Sequence, residues 1–516
     1  MANTTLNDTI NDARRVSTPL VAISTPDPAA LTASLLLTLP PEVAVVQWDI
    51  INGVVARNEL GVEAASKMVG DQDTTPNNPT GCAVKANNLP PNSVLFLLQA
   101  DRWLSNDQMG HKFAMACWNL RDKFKSDRRT LVLLGHDMNS LPAELGGDTL
   151  QLDDQLPRKE EIRQIITDNV ITQFNRSIER HNATVAPDQQ RPVLDIEPLQ
   201  LSQAVDANLG LTAYQVEQFT AMALRGGGID IRSLEDRKEK QIERTPGLSV
   251  FRQGSTFTDV GGCGPVKEEI TSLMQSTKRH FQAVVWLDEI EKTGLGNTSD
   301  LSGVNSDAEG QILTYMEDHN PYAIVLVGVP GCGKSEIAKA AGATFNRPTI
   351  RFDLGGMKGS HVGESERYVR EALRVTSAVT NDNGLWIATS NKVSNLSPAL
   401  RSRFSDVFFF DLPSRDELEV IWKIWLRKFS LDNQPLPDDA GWVGRNIKKC
   451  CEKAYLKGVT LLDAAKSIVA VAQSAADDIA ELRSQASGRF LSASYHGVFR
   501  KDRKPLKGTR RDVSMN

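Results

Sequence analysis

Short apolar runs rich in branched side chains recur along this chain, separated by stretches where apolar residues return every three or four positions. Runs of the first kind read as buried strands, stretches of the second as helices packed on them. Residues 20–23, 43–48, 94–98 and 130–134 are predicted strands, and residues 108–124 a helix between two of them. Strands alternating with helices imply a parallel sheet covered on both faces. Residues 1–18 are polar and read as frayed, and residues 69–92, rich in Asn, Pro, Thr and Gly, read as a surface loop. Residues 171–205 read as a polar linker, followed by helical patterns over 202–209, 212–224 and 230–243 that would make a small helical subdomain.

The pattern also repeats. Residues 130–145 and 385–400 are each a strand, a polar turn and a cluster of Leu, Pro, Ala and Leu, and each continues into a second strand and a helix. The two halves therefore read as copies of one α/β unit.

They differ in chemistry. In the second half an apolar strand over 322–327 runs into Gly328-Val329-Pro330-Gly331-Cys332-Gly333-Lys334-Ser335, with Glu336 opening a helical pattern. This satisfies G-x-x-x-x-G-K-[ST] in the strand–loop–helix setting it needs. Its glycines let backbone N–H groups turn around phosphate oxygens at a helix N-terminus, Lys334 would neutralise the β- and γ-phosphates of ATP, and the Ser335 hydroxyl would ligate Mg²⁺. A second strand, 283–287, ends in Asp288-Glu289. There Asp288 would hold the metal, with Glu289 placed to take a proton from the attacking water. A third delivers Asn391 to the same edge, where its amide can orient that water. Arg401 and Arg403 follow, and an arginine so placed meets the γ-phosphate bound by a neighbouring subunit, so oligomerisation would be part of the active site. The first half has Ser24-Thr25-Pro26-Asp27-Pro28 in place of the phosphate loop, and Asp101 without a glutamate beside it. It should not hydrolyse ATP.

Composition adds mainly exclusions. At 516 residues the chain needs several cores, and 59 basic against 64 acidic residues give no global argument for nucleic acid. No apolar run is long enough for a membrane span. The N-terminus lacks the pattern of a signal peptide, and the six cysteines lack metal or disulfide spacing, so a reduced, cytoplasmic setting is expected. A basic stretch over 500–511 reads as a disordered tail, and a DNA-associated role would rest on it alone.

Residues 257–262 (Phe-Thr-Asp-Val-Gly-Gly), the phosphate loop, Val-Gly-Glu-Ser-Glu at 362–366, the Asp-Glu strand, the Asn strand and the arginine pair together resemble the AAA+ ATPases of the AAA clade. The likeness covers about residues 255–495. It implies a P-loop NTPase sheet with a C-terminal helical lid, with Asp259, Val260, Gly261 and Gly262 beside the adenine and Arg445 as the lid arginine that points at the γ-phosphate. The whole layout is similar to a small family from cyanobacteria, plastids and phages, which carries a degenerate ATPase-like first half. Expected domains are thus 1–18, a polar N-terminus; 19–170, a degenerate α/β domain; 171–250, linker and helical subdomain; 251–413, the nucleotide-binding domain; 414–495, the lid; and 496–516, the tail.

Two departures from the family stand out. Asp288 precedes Gly328 by 40 positions, whereas the family places that strand after the loop. An internal permutation of residues 281–320 is implied, and it is compatible with an intact site because every parallel strand presents its C-terminal end at one edge. Where the family's unfoldases carry an aromatic pore residue, this sequence has Lys-Gly-Ser-His at 358–361, with His361 the residue able to touch a threaded chain. The implied function is a Mg²⁺-dependent ATPase, hexameric, that remodels a protein partner in the cytoplasm of a bacterial, plastid-containing or phage-infected cell. The alternative is a nucleotide-controlled assembly switch that hydrolyses slowly.

Overall fold

The structure, a computed structural model, describes residues 6–70, 78–105, 108–139, 141–225, 227–252, 254–290, 304–357, 364–393, 398–432 and 434–502. The chain divides into two compact units, Met1–Leu234 and Glu235–Asn516. The division falls inside the helix Ile231–Ile242, upstream of the expected boundary at 250.

The first unit is built on β1 (Leu20–Ser24), β2 (Ala44–Asp49), β3 (Gly53–Ala56), β4 (Ser93–Leu98), β5 (Thr130–Gly135) and β6 (Leu150–Asp153), in the order β3-β2-β4-β5-β1-β6. Only the β2–β3 pair is antiparallel. Successive side chains of a strand face opposite ways, so β1 divides its side chains between two cores. Leu20 and Ala22 join Trp48, Leu97 and Phe113 on one face, and Val21 and Ile23 join Ile10, Leu35 and Phe96 on the other. Ile10 belongs to a helix, Leu6–Arg15, that docks on the sheet, so residues expected to fray are partly core. Two further expectations are corrected. The loop over 69–92 contains the helix Pro79–Lys85, started by Asn78 accepting the Gly81 N–H. The linker over 171–205 contains the helix Thr172–Asn182, whose apolar stripe is too narrow to read against its polar surround; Ile178 is its buried residue.

A π-helical turn, Ile165–Ile171, leads into that helix. The helices Pro198–Asn208 and Ala213–Ala223, with a small hairpin of β7 (Leu224–Arg225) and β8 (Gly228–Ile229), close a helical core around Ile162, Val205, Val216 and Leu234.

The second unit's sheet comprises β9 (Leu248–Phe251), β10 (Ala283–Leu287), β11 (Tyr322–Gly328), β12 (Thr349–Phe352), β13 (Gly384–Ser390), β14 (Asp406–Phe410) and β15 (Leu491–Ser492). Its order is β15-β14-β11-β13-β10-β12-β9, parallel except for β9 against β12. Setting β6, β1, β5, β4, β2 and β3 beside β14, β11, β13, β10, β12 and β9 matches the two sheets strand for strand, down to the antiparallel edge. The chain order does not match. In the first unit β4 follows β1, whereas in the second its counterpart β10 precedes β11 and still lies between β13 and β12.

A helical layer follows, from Arg415–Phe429 through Gly444–Lys457 to Ala476–Ala486, with Trp422, Trp442, Ile447 and Leu461 in its core. The chain then returns to the sheet. β15 pairs with β14, and Phe499 is buried with its ring 4.5 Å from that of Phe409. Residues 491–499 therefore belong to the sheet rather than to the lid or the tail; residues 503–516, like His361, lie outside the described residues. Among the described residues no helix is long and apolar enough to cross a membrane.

Candidate functional site

β11 ends at Gly328, whose φ is +142° and where an added Cβ would lie 2.1 Å from the Phe410 carbonyl oxygen. A side chain is excluded twice there, by backbone conformation and by the neighbouring strand. Gly331 (φ +86°) and Gly333 (φ +94°) carry the loop round to the helix Lys334–Thr344. Pro330 is half-buried, Ser335 half-buried and Glu336 exposed on the first turn. The Lys334 side chain lies back along the loop and donates to the carbonyls of Gly328 (2.7 Å) and Val329 (2.9 Å).

The register brings the other predicted residues to the same edge. Leu287 of β10 pairs with Ala388 of β13, which pairs with Val325 of β11. Asp288, Glu289 and Asn391 thus leave the sheet on the side where the glycine loop leaves it. Thr389, which the sequence reading passed over, ties the acidic pair down. Its hydroxyl accepts the N–H of Glu289 (3.1 Å) and the indole N–H of Trp286 (3.3 Å), and donates to Asp288 Oδ1 (3.2 Å). One donor and two acceptors are all a hydroxyl has, so this buried group is fully used. The N–H to Thr389 also holds Glu289 at φ +47°, a left-handed conformation that costs a non-glycine residue on the order of 1 kcal/mol. The other Asp288 oxygen, Oδ2, accepts two N–H groups of Arg351 at 2.6 and 3.0 Å. Arg351 is a second residue that sequence reasoning missed, since nothing local links it to an aspartate 63 positions away.

One wall of the cleft is built from the segment before the helix Gly264–Met274. Asp259 is a structural residue here: its carboxylate accepts from the Thr256 N–H and hydroxyl and closes a turn. Lys267 donates to the carbonyls of Phe257 and Val260, fixing the backbone that follows. Burial makes the charged form of Lys267 less favourable and lowers its pKa. Gly261 and Gly262 are close approaches; a Cβ would meet Ile421 at 2.5 Å and the Glu417 carboxylate at 2.8 Å. Glu417 joins three segments, accepting the N–H of Cys263 (3.0 Å), the N–H of Ser414 (2.9 Å) and the Ser494 hydroxyl (3.0 Å). Gly261, Cys332, Ile421 and Gly444 line the resulting cleft. Burial pushes the Cys332 thiol up to about 12.

Arg445 lies beside the loop through its backbone. Its N–H reaches the Gly331 carbonyl (3.3 Å), and its side chain would touch a Cβ at Gly331. The two arginines of the predicted pair behave differently. Arg401 lies over the Phe490 ring, 5.9 Å from its centre, whereas Arg403 is exposed and paired with Glu317 at 2.9 Å.

A nucleotide fits these residues on two observations: a cradle of glycines where side chains are sterically excluded, and a lysine amine folded among loop carbonyls. The donor set also fits Mg²⁺. One carboxylate and one hydroxyl suit a cation that keeps waters and takes phosphate oxygens for its other positions. Among the described residues there is no cluster of three or more His, Cys, Asp or Glu side chains of the kind that cages a metal.

The corresponding place in the first unit is closed. Only three residues separate β1 from the helix Pro28–Thr38, and Asp27 caps that helix by accepting the Ala30 N–H at 3.0 Å. Thr25 donates to Asp154 (2.7 Å), and Asp101 accepts the His136 N–H (3.0 Å). Carboxylates hold the helix N-terminus where a phosphate would need to bind.

Residues 324–381 match the family described as ATPase family associated with various cellular activities (AAA). The chain is 22% identical over 355 residues to the uncharacterised AAA domain-containing protein ycf46 of Guillardia theta, covering 60% of this chain and 60% of that one. It is 31% identical over 290 residues to the ycf46 protein of Pyropia yezoensis, covering 45% and 52%. A putative 26S proteasome regulatory subunit homolog of Methanocaldococcus jannaschii is 25% identical over 209 residues, covering 30% and 55%. The chain thus spans between half and two thirds of the length of these relatives. The family match falls on the glycine-loop strand, its helix and the helix that leads to Asn391, and over that stretch the second unit resembles the ATPase domains of the AAA family.

Proposed function

We propose that this protein is a Mg²⁺-dependent ATP hydrolase whose active site is completed between subunits of a homo-oligomer, and that it uses the cycle to remodel a protein partner. The observation that carries the reading is the convergence of Lys334, Asp288, Glu289 and Asn391 on one sheet edge, with Glu289 held in a strained conformation by Thr389. Strain of that kind persists where surrounding structure enforces it, and it clusters at working sites.

In this reading the loop N–H groups and Lys334 bind the β- and γ-phosphates, Arg445 approaches them from the lid, and the segment Val260–Gly262 contacts the base. Ser335 and Asp288 hold Mg²⁺, which when bound neutralises phosphate charge. Glu289 accepts the proton of the attacking water, and Asn391 orients that water. Arg403 is the arginine given to the neighbouring subunit: it is exposed and paired at the surface with Glu317, whereas Arg401 is engaged with Phe490. The position of β10, between β12 and β13 although it precedes β11 in the chain, supports the reading of 281–320 as a transposed segment. A protein partner is favoured by the likeness to a proteasome regulatory subunit homolog. A hexamer in a cytoplasmic or plastid compartment is the assembly that this reading implies.

The test is ATPase rate against protein concentration for the wild type and Glu289→Gln. Hydrolysis should rise with concentration as subunits assemble, and Glu289→Gln should abolish it while ATP still binds. A concentration-independent rate would remove the shared site. Slow hydrolysis with nucleotide-dependent assembly would favour the switch instead.

A further inference from the structure

Asp288 is not simply waiting for a cation. Its Oδ2 is taken by two N–H groups of Arg351, and Arg351 Nη2 lies 3.4 Å from a second carboxylate, Asp353 Oδ2. The guanidinium rests on the Trp286 ring, 5.4 Å from its centre. Asp288 is largely buried, with its side chain 10% exposed, whereas Asp353 is 37% exposed. Asp353 is itself fixed: Oδ1 accepts the N–H groups of Gly355 (3.1 Å) and Gly356 (3.3 Å), leaving Oδ2 turned to the arginine. Among the described residues of the first unit nothing similar is seen. At the end of its β2 stand Gln47, Trp48 and Asp49, and Asp101 accepts a backbone N–H instead.

Resting on the ATPase reading above, the geometry points to Arg351 as a positioning residue that competes with the metal for Asp288 and yields by moving to Asp353. A guanidinium 2.6 Å from the carboxylate cancels the charge that would attract a dication, so Asp288 does not hold free Mg²⁺ strongly. When Mg²⁺ arrives with nucleotide, repulsion drives the arginine toward the second carboxylate. Asp353 opens the short turn Leu354–Met357, which the β12 strand feeds. The exchange would therefore tell this turn whether the metal site is filled. The expected consequence is a protein that discriminates against bare Mg²⁺ and responds to the metal–nucleotide complex.

The test measures binding rather than turnover. A fluorescent non-hydrolysable ATP analogue is titrated with Mg²⁺ against the full chain, and again in EDTA, with Mn²⁺ electron paramagnetic resonance as a direct metal readout. Arg351→Met should lower the Mg²⁺ midpoint by about fivefold or more and leave affinity in EDTA unchanged. Asp353→Asn, an exposed and milder change, should raise the midpoint, and that effect should vanish in the Arg351→Met background. A midpoint that Arg351→Met leaves alone or raises overturns the inference, as does an Asp353→Asn effect that persists without the arginine. If wild-type protein binds the analogue and the two variants show neither shift, only this inference fails. Wild-type protein that binds no analogue in either medium sinks the ATPase reading with it.

Discussion

At the scale of single residues, the candidate site depends on groups that do no chemistry themselves. Thr389 is the clearest case, because one hydroxyl holds Trp286, Asp288 and Glu289 together. Thr389→Val keeps the volume but leaves two buried N–H groups unsatisfied, so it should cost about 1–3 kcal/mol in chemical denaturation. Hydrolysis should fall further than nucleotide binding, because Glu289 loses what holds its backbone. Cys332 gives an independent check on the cleft. With its pKa pushed from 9.0 to about 12, the thiolate fraction at neutral pH is about a thousandfold below that of an ordinary thiol. Alkylation of Cys332 should be correspondingly slow and should accelerate as pH rises, measured by mass spectrometry of the loop peptide. A rate like that of free cysteine would mean that the cleft wall is open. Of these residues, sequence reading found those with a motif around them. It passed over Thr389, Arg351 and Glu417, whose partners lie about 60–150 positions away and exist only once the strands are in register.

At the scale of elements, the strands are legible because a strand buried on both faces is mostly apolar, and β1, β4, β5, β10, β11 and β13 are each apolar but for hydroxyl residues and glycines. β3 was missed: Gly53–Ala56 is short, lies at the sheet edge and is only partly covered. The helix Pro79–Lys85 was read as loop because its proline and polar neighbours dominate seven residues. Where an element meets the site, close backbone approach sets its tolerance. Gly328→Ala would set a methyl group against the Phe410 carbonyl at a φ that L-residues avoid, and should cost about 2–4 kcal/mol. Glu417→Gln should lower stability by about 1–3 kcal/mol, because it removes the charge that three donors share. It should also weaken nucleotide binding, since the same carboxylate fixes the Cys263 backbone beside the cleft; calorimetric titration measures this.

At the scale of the whole molecule, two sheets of one design have different chemistry. The repeat was visible as a recurring strand-and-turn pattern, and the matched strand orders extend it to six positions, including the antiparallel edge. The likeness does not extend to phosphate binding. In the first unit Asp27 caps the helix that would receive a phosphate, and Asp154 and Asp101 keep that sheet edge acidic. Calorimetry should therefore find one nucleotide per chain, and Lys334→Ala should remove it entirely. A second, Lys334-independent site would contradict the closed geometry of the first unit.

The displaced position of β10 has a consequence for how the second sheet comes into being. A central strand can find a neighbour already made, as β4 finds β2 in the first unit. β10 emerges with neither. Its partners β12 and β13 follow roughly 60 and 100 residues later, which at ribosomal speed is a wait of about 5–20 s for the second. During that time Ala283-Val-Val-Trp-Leu287 is an apolar, β-prone segment without a sheet to join. Synthesis of this chain thus includes an interval in which the strand that leads to Asp288 is exposed to aggregation and to chaperones. Arrest of translation between β10 and β12 should trap a species that binds a hydrophobic dye, and arrest beyond β13 should not.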